Sequence, residues 1–263
     1  MNPRRRALEV LCLQDPATKA AEARALFADL DRSLIDPAER IEAPPGLPGR
    51  PARPRLVPPK QVPSRTPYTP EGRAALLHAI AHIEFNAINL ALDAAFRFDG
   101  MPGLFYADWL RVASEEALHF SLLREHLQSL GHDYGDFDAH DGLWLMTQRT
   151  ASDVTARMAL VPRTLEARGL DATPPLQAKF AKAGDPRAVE ILAIILRDEV
   201  GHVAIGNRWY RWLCERQGLD SVQHYAELTR RHEAPRLRPP FNEAARLAAG
   251  FTEDELARLN EHG

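Results

Sequence analysis

Cysteine is nearly absent from this chain, and its scarcity is informative. Only Cys12 and Cys214 occur among 263 residues. Two thiols so far apart in the sequence form no disulfide framework, which is typical of proteins from a reducing compartment. The basic residues 4–6 precede only a short, broken apolar stretch, so we expect no secretory signal. We therefore expect a cytoplasmic protein.

The chain also lacks a strong excess of charge and a long apolar run. Lys and Arg number 33 against 36 Asp and Glu, which gives a formal net charge of −3. This balance gives no reason to expect nucleic acid or a strongly acidic surface as partner. We expect no apolar run to reach the roughly 20 residues of a membrane-spanning helix. With 45% hydrophobic residues, the chain can bury a sizeable core as one domain.

Proline, by contrast, is concentrated in one region and divides the chain. The many prolines of residues 43–69 exclude regular helix and predict an extended strap. Residues 1–42 predict N-terminal helices, and residues 218–263 predict short C-terminal helices interrupted by prolines. Residues 70–217 predict a four-helix bundle. The fold class that we expect is therefore all-α.

Four long helices are predicted within the bundle region. Thr69 is suited to cap the first helix, with Pro70 at its first position, and Pro162 should kink the third. A further helical piece is expected after the third helix. The predicted ranges are about 70–98, 104–130, 141–169 with 174–183, and 185–216.

A Glu-x-x-His sequence lies inside the apolar fourth helix, at Glu199 and His202. Residues three apart on an α-helix share one face, so both side chains should point the same way. Burial of unpaired charge on that face would cost several kcal/mol. A metal ion shared by the two side chains would compensate for this cost.

The same spacing occurs again on the second helix, at Glu116 and His119. A single Glu-x-x-His arises freely on surface helices, whereas two copies on two apolar helices are a stronger signal. Bundles that hold two metal ions use a Glu-x-x-His from each of two helices and one Glu from each of the other two. We therefore predict a site for two metal ions.

The two further glutamates are predicted at Glu84 and Glu166. Glu84 precedes Glu116 by 116 − 84 = 32 residues, and Glu166 precedes Glu199 by 199 − 166 = 33 residues. Two halves with nearly equal spacing fit a bundle with pseudo-twofold symmetry. If the third helix stopped at Gly169 with no continuation, however, Glu166 would lie too near a helix end, and Asp153 would be the rival ligand.

A second acid precedes each Glu-x-x-His glutamate, at Glu115 and at Asp198. A metal-bound imidazole needs an acceptor for its other ring N–H. We expect Asp198 to serve His119 and Glu115 to serve His202. The alternative is that both acids are solvated or paired with arginine.

The predicted donor set is balanced in charge. Four carboxylates bring about −4, which two divalent cations would neutralise, and carboxylate with imidazole suits Fe, Mn or Zn. Glu116 and Glu199 would bridge or chelate the ions, and Glu84 and Glu166 would be terminal ligands. His119 and His202 would each hold one ion through a ring nitrogen.

Several stretches together resemble the ferritin-like superfamily of di-iron carboxylate proteins. More narrowly, the sequence is similar to a bacterial ferritin-like family labelled as a domain of unknown function, over about residues 65–250. The resemblance implies a ferritin-like four-helix bundle and favours iron, and a distant similarity to tRNA-hydroxylating members leaves tRNA open as a partner. The matching stretches are 78–84, 115–120, 156–159 with 162–171, 197–202 and 238–242.

Three functions are compatible with these observations. The first is an oxidase or oxygenase that activates O₂ on a small organic substrate. The second is iron oxidation and storage, which would require a large cage that the strap and appended helices suit poorly. The third is a metal-free helical interaction module, which would leave six buried polar residues without a reason. A homodimer is left open, and the substrate is not predicted.

Overall fold

The computed structural model describes residues 1–63 and 65–262, and its regular structure is helical. Within these residues there is no β-sheet, and a single isolated bridge joins Leu56 and Ala139. The prediction of an all-α fold is confirmed. The α-helices in chain order are α1 (Pro3–Cys12), α2 (Pro16–Ala28), α3 (Pro70–Arg97), α4 (Gly103–Ser129), α5 (Gly142–Arg149), α6 (Val154–Leu160), α7 (Ala167–Lys182), α8 (Pro186–Gln217), α9 (Ser221–Arg231), α10 (Glu243–Ala248) and α11 (Glu253–His262).

The segment between α2 and α3 contains the prolines that exclude helix. Its described residues form only two short 3-10 turns, Arg32–Leu34 and Pro59–Gln61. Proline has no backbone N–H to donate and a fixed φ, so a proline-rich stretch cannot build a regular hydrogen-bonded ladder. The described residues of this segment thus contain no α-helix, and the extended strap stays a prediction.

Helix starts follow the capping residues of the sequence. The side chain of Thr69 accepts a hydrogen bond from the backbone N–H of Gly72, and Pro70 occupies the first turn of α3. Asp15 caps α2 in the same way through Thr18. Each side-chain oxygen satisfies an N–H that has no partner within the helix, which explains why the helices begin at these positions.

The chain folds into two compact units. The first comprises Met1–Trp144 with Lys182–Ile191. In this unit α3 and α4 pack against each other, α1 packs on α3, and α2 packs mainly on α4. Twenty residues of α3 are buried, including polar ones, so α3 is the central helix of the unit.

Polar residues on α3 hold the N-terminal helices in place. Arg4 is fully buried and donates to the carbonyl of Phe96 at 2.9 Å. The Lys19 ammonium is also fully buried and donates to Asn89 Oδ1 at 2.7 Å. Burial lowers the pKa of Lys19 to about 7. A backbone carbonyl and a polar side chain of α3 therefore help to dock α1 and α2.

The second unit comprises Leu145–Ala181 and the chain from Leu192 onward. Its apolar core joins α7 and α8 to the C-terminal helices through Leu170, Val203, Phe251 and Leu256. Arg246 ties α10 to α7 through a two-point ion pair with Asp171, at 3.0 Å and 2.6 Å. The C-terminal helices are thus integral to this unit.

The prediction of one continuous third helix from about residue 141 to 169 was wrong. Helix α5 ends at Arg149, and α6 begins only after Asp153, whose side chain caps the N–H of Ala156 at 2.9 Å. A π-helical turn, Val161–Glu166, then follows and contains Pro162. Because proline cannot donate the usual helical hydrogen bond, the helix widens at this point instead of merely kinking.

The same segment packs closely against a glycine of α8. A Cβ placed on Gly206 would lie 2.5 Å from Pro162 Cβ, so only glycine leaves room for the proline ring. This contact explains the presence of glycine within α8 at this position. Helix α7 then continues without a break from Ala167 to Lys182, through Pro174 and Pro175.

The sequence predicted no apolar run as long as a membrane span, and one helix of the described residues passes a test of length and apolar composition. Helix α3, Pro70–Arg97, is long and apolar enough by length and composition. However, 78% of its most apolar 18-residue window is buried inside the protein. That burial is what a core helix of a soluble protein shows.

Candidate metal centre

The first unit brings three of the proposed ligands together. Glu84 lies on α3, and Glu116 and His119 lie one turn apart on α4. The Nδ1 atom of His119 is 3.1 Å from Glu84 Oε2 and 3.3 Å from Glu116 Oε2. One ligand atom from each residue falls within 4.8 Å of the others. The three side chains form what we call the α3–α4 triad.

The α3–α4 triad is almost completely removed from solvent. Glu116 and His119 have no exposed surface, and Glu84 is 4% exposed. Two ionised carboxylates whose ligand atoms lie within 4.8 Å of each other repel by at least about 3 kcal/mol at an effective dielectric constant of 20. A protonated His119 would place only one positive charge between the two negatively charged carboxylates. A divalent cation would neutralise both carboxylates and use the imidazole as a neutral ligand.

The second unit carries the corresponding residues of the other half. Glu199 is 6% exposed and His202 is fully buried, and both lie on α8. His202 Nδ1 lies 3.7 Å from Glu199 Oε1, which is beyond ordinary hydrogen-bond length. Their shared helical face is the one predicted from the sequence.

Glu166 lies at the last position of the π-helical turn and is half-buried. Three residues later, a Cβ on Gly169 would lie 3.9 Å from Glu199 Oε2, so α7 passes close to that carboxylate. We call Glu166, Glu199 and His202 the α7–α8 set. Because α7 continues to Lys182, Glu166 does not lie near the end of the helical segment. This continuation is the condition under which the sequence favoured Glu166 over Asp153 as the ligand from the third helix.

Asp153, the rival to Glu166, has a structural task. Its carboxylate accepts a hydrogen bond from the backbone N–H of Ala156 at the start of α6. Capping by aspartate satisfies an N–H without a helical partner and stabilises the helix start. The structure thus assigns Asp153 to the helix cap.

The two acids that precede the glutamates each have an arginine beside them. Arg197 contacts both carboxylate oxygens of Asp198, at 2.8 Å and 3.0 Å. Arg111 lies 3.7 Å from Glu115, one turn earlier on α4. Pairing with arginine was the alternative that the sequence left open for Glu115 and Asp198. The predicted support of His119 and His202 by these acids stays a prediction.

Two histidines on α3 are structural. His82 Nδ1 lies 2.8 Å from the Tyr134 hydroxyl, and His78 Nε2 accepts from the N–H of Gly135 at 2.9 Å. Burial lowers the pKa of His78 to about 4 and that of His82 to about 3. Both are therefore neutral at pH 7, and they anchor the connection that follows α4.

The donor set of the α3–α4 triad fits a transition-metal ion. Buried carboxylate oxygens with an imidazole nitrogen suit iron, manganese or zinc, whereas Mg²⁺ and Ca²⁺ favour all-oxygen sites. The buried Glu/His cluster could therefore hold a metal ion. Which metal it would hold is not decided by the donor atoms.

Comparison with known proteins gives a family but no function. Residues 12–257 match the family described as "Protein of unknown function (DUF455)". An uncharacterized protein of Haemophilus influenzae is 57% identical over 218 residues, which cover 80% of this chain and 76% of that protein. No solved structure matches the chain. The match over nearly the whole sequence shows that the chain belongs to the DUF455 family.

Proposed function

We propose that this chain is a dinuclear metal protein of the carboxylate type, with iron as the expected metal. Its reaction would be the O₂-dependent oxidation or hydroxylation of a small organic substrate. The observation that carries the proposal is the α3–α4 triad, in which two buried carboxylates and a buried imidazole converge within 4.8 Å. A protein core accepts two carboxylates so close together only with a compensating charge.

The α7–α8 set supports a second metal ion. Glu199 and His202 repeat the spacing of Glu116 and His119 on another helix and are similarly buried. On this proposal the two halves together supply four carboxylates and two imidazoles in a ferritin-like four-helix bundle. Glu84 and Glu166 are terminal ligands, Glu116 and Glu199 bridge or chelate, and each histidine holds one ion.

The chain's own residues would prepare the site for such chemistry. Bound iron would supply electrons for the activation of O₂, which amino-acid side chains cannot do. Phe85, Phe120 and Ala113 lie on the same two helices as the α3–α4 triad and are buried, so this part of the unit excludes bulk water. Exclusion of water strengthens the electrostatic hold of the carboxylates on a cation.

Metal quantification on four proteins tests the proposal. After expression in metal-replete medium, the wild-type chain should carry about two metal ions. Glu116→Ala and His119→Ala should lose most of this metal, because each removes a buried ligand. Glu125→Ala removes an exposed carboxylate from the same helix, α4, and should retain the wild-type content.

Circular dichroism at each step separates loss of metal from loss of fold. A wild-type protein without iron, manganese or zinc would contradict the proposal outright. Equal metal content in all four proteins would show that the metal is bound elsewhere. The mass of the native assembly distinguishes an oxygenase from a storage protein, because storage requires a large closed cage.

A further inference from the structure

A cavity of about 580 Å³ lies within the second unit. None of the six proposed metal ligands lines it, although the π-helical turn that carries Glu166 contributes Arg163 to its wall. Its walls come from that turn, from α9, from α11 and from the chain after α9. Cavities of about 300–1,000 Å³ are typical of small-molecule sites. We call it the α9–α11 cavity.

A buried arginine forms one wall of the α9–α11 cavity. Arg163 is 3% exposed and donates to Asn207 Oδ1 at 2.6 Å and to Glu255 Oε1 at 2.5 Å. Its guanidinium carbon lies 5.1 Å from the ring centre of Tyr225 and 4.7 Å from that of Phe251. Among the described residues, Arg163 Nε has no hydrogen-bond partner. The arginine is thus fixed in place with a donor to spare.

The carboxylates near Arg163 are already committed. Glu255 accepts from Arg163 and from Arg211 as well, at 3.1 Å. Burial alone would raise the pKa of Glu255, but the guanidinium groups of Arg163 and Arg211 and the backbone N–H of Thr252 together outweigh burial, and the pKa is lowered. Glu255 is therefore ionised and is shared between two guanidinium groups. Glu233, the other acidic residue of the lining, is exposed and lies 4.0 Å from Arg149.

Three further arginines line the cavity and are exposed, namely Arg230, Arg236 and Arg258. Within the described part of the chain, Arg236 and Arg258 have no hydrogen bond or ion pair, and Arg230 donates only to a backbone carbonyl. Four arginines against two committed glutamates leave the lining with an excess of positive charge. Isolated exposed arginines are common, but here they surround one concave surface.

Apolar side chains complete the cavity. Val222, Leu237, Phe251 and Leu259 contribute to the lining, so a bound molecule would contact hydrocarbon as well as guanidinium groups. This combination matches a ligand with an anionic head and an apolar body. Guanidinium groups bind carboxylates through paired N–H donors, and the apolar body gains from removal from water.

We propose that the α9–α11 cavity binds a medium-chain organic acid, with its carboxylate on the exposed arginines and its hydrocarbon chain against Phe251 and Leu259. This proposal does not depend on the metal centre, since none of the six proposed metal ligands lines the cavity.

Three ten-carbon probes test the proposal by titration calorimetry on the full chain, below their micelle-forming concentrations. Decanoate should bind saturably, and decanol and decylamine should bind at least about tenfold more weakly because they lack the negative head. In the double variant R236Q/R258Q, the affinity for decanoate should fall about tenfold, while that for decanol should not change. Both positions are exposed, so the fold should be kept.

A matched control uses arginines outside the cavity. The double variant R216Q/R231Q removes the same charge from exposed positions that do not line it, and it should bind decanoate as the wild type does. An absence of saturable decanoate binding would overturn the proposal. So would equal affinity for all three probes, or an equal loss of affinity in both double variants. Metal content measured on the same samples keeps this outcome separate from the metal proposal.

Discussion

The α3–α4 triad and the α7–α8 set begin from the same sequence pattern but differ in structure. In the first, histidine nitrogen and carboxylate oxygens are 3.1 Å and 3.3 Å apart, and all three residues are buried. In the second, the equivalent distance is 3.7 Å, and Glu166 is half-buried. Regular helices carry the first, whereas a π-helical turn carries Glu166. Helix regularity therefore distinguishes the position of Glu166 from that of Glu84.

The first expected contrast concerns stability without metal. In chelator-treated protein, Glu116→Gln should raise the free energy of unfolding by about 1–2 kcal/mol, because it removes a buried carboxylate that repels Glu84. Glu199→Gln should change it less, since the α7–α8 set is looser. Urea unfolding followed by circular dichroism measures both.

The same measurement on metal-loaded protein serves as the control. Addition of metal should stabilise the wild type and should stabilise Glu116→Gln much less. A lower stability of metal-free Glu116→Gln than of wild type would show that the triad is held by its own hydrogen bonds. The contrast between the two halves would then need another cause.

A second expectation concerns acid and the anchor that follows α4. The pKa of His78 is lowered from 6.5 to about 4 in the folded protein. Between these two pH values, the unfolded chain therefore binds a proton at His78 that the folded chain does not bind. The contribution of His78 to the free energy of unfolding is fully present above pH 6.5 and is lost as the pH falls towards 4. Between pH 6.5 and 5 the loss should reach about 2 kcal/mol.

Urea unfolding at pH 7 and at pH 5 checks this expectation. His78→Gln cannot titrate in this range, so its stability should fall less between the two pH values than that of the wild type. Hydrogen exchange should show the acid-induced loss first in the first unit, around α3. An identical fall in both proteins would remove His78 as the cause.

The smallest effect is expected for Asp153, and it separates the two candidates for the third-helix ligand. Asp153→Ala should cost about 1 kcal/mol through loss of the α6 cap and should leave the metal content unchanged. Glu166→Ala should lower the metal content. Metal loss in Asp153→Ala with full retention in Glu166→Ala would reverse the assignment.

The regular part of the fold could be predicted from sequence because its signals are local. The cap at Thr69 and the break between the predicted ranges 70–98 and 104–130 gave α3 and α4 to within about two residues of their observed ends. The repeated Glu-x-x-His pattern and its offset to a preceding glutamate predicted Glu84, Glu116 and His119 as ligands of one site, and the structure brings them together. Spacing along the sequence was sufficient for this half.

The irregular part could not be predicted in the same way. Proline within a helix indicates a disturbance but does not say whether it is a kink, a break or a π-helical turn. The role of Asp153 as a cap depended on a break after Arg149 that apolar periodicity does not reveal. Arg163 was not singled out, because its environment of Tyr225 and Phe251 comes from residues more than 60 positions later.

The wide turn at Val161–Glu166 acts as an extra residue inserted into an otherwise ordinary helix. Each residue of an α-helix turns the chain by about 100°. Removal of one residue from this turn would swing the whole of α7 by that angle about its own axis. Gly169 would leave the carboxylate of Glu199, and Glu166 would turn with it. The orientation of this half of the candidate site is thus encoded in chain length as much as in side-chain chemistry.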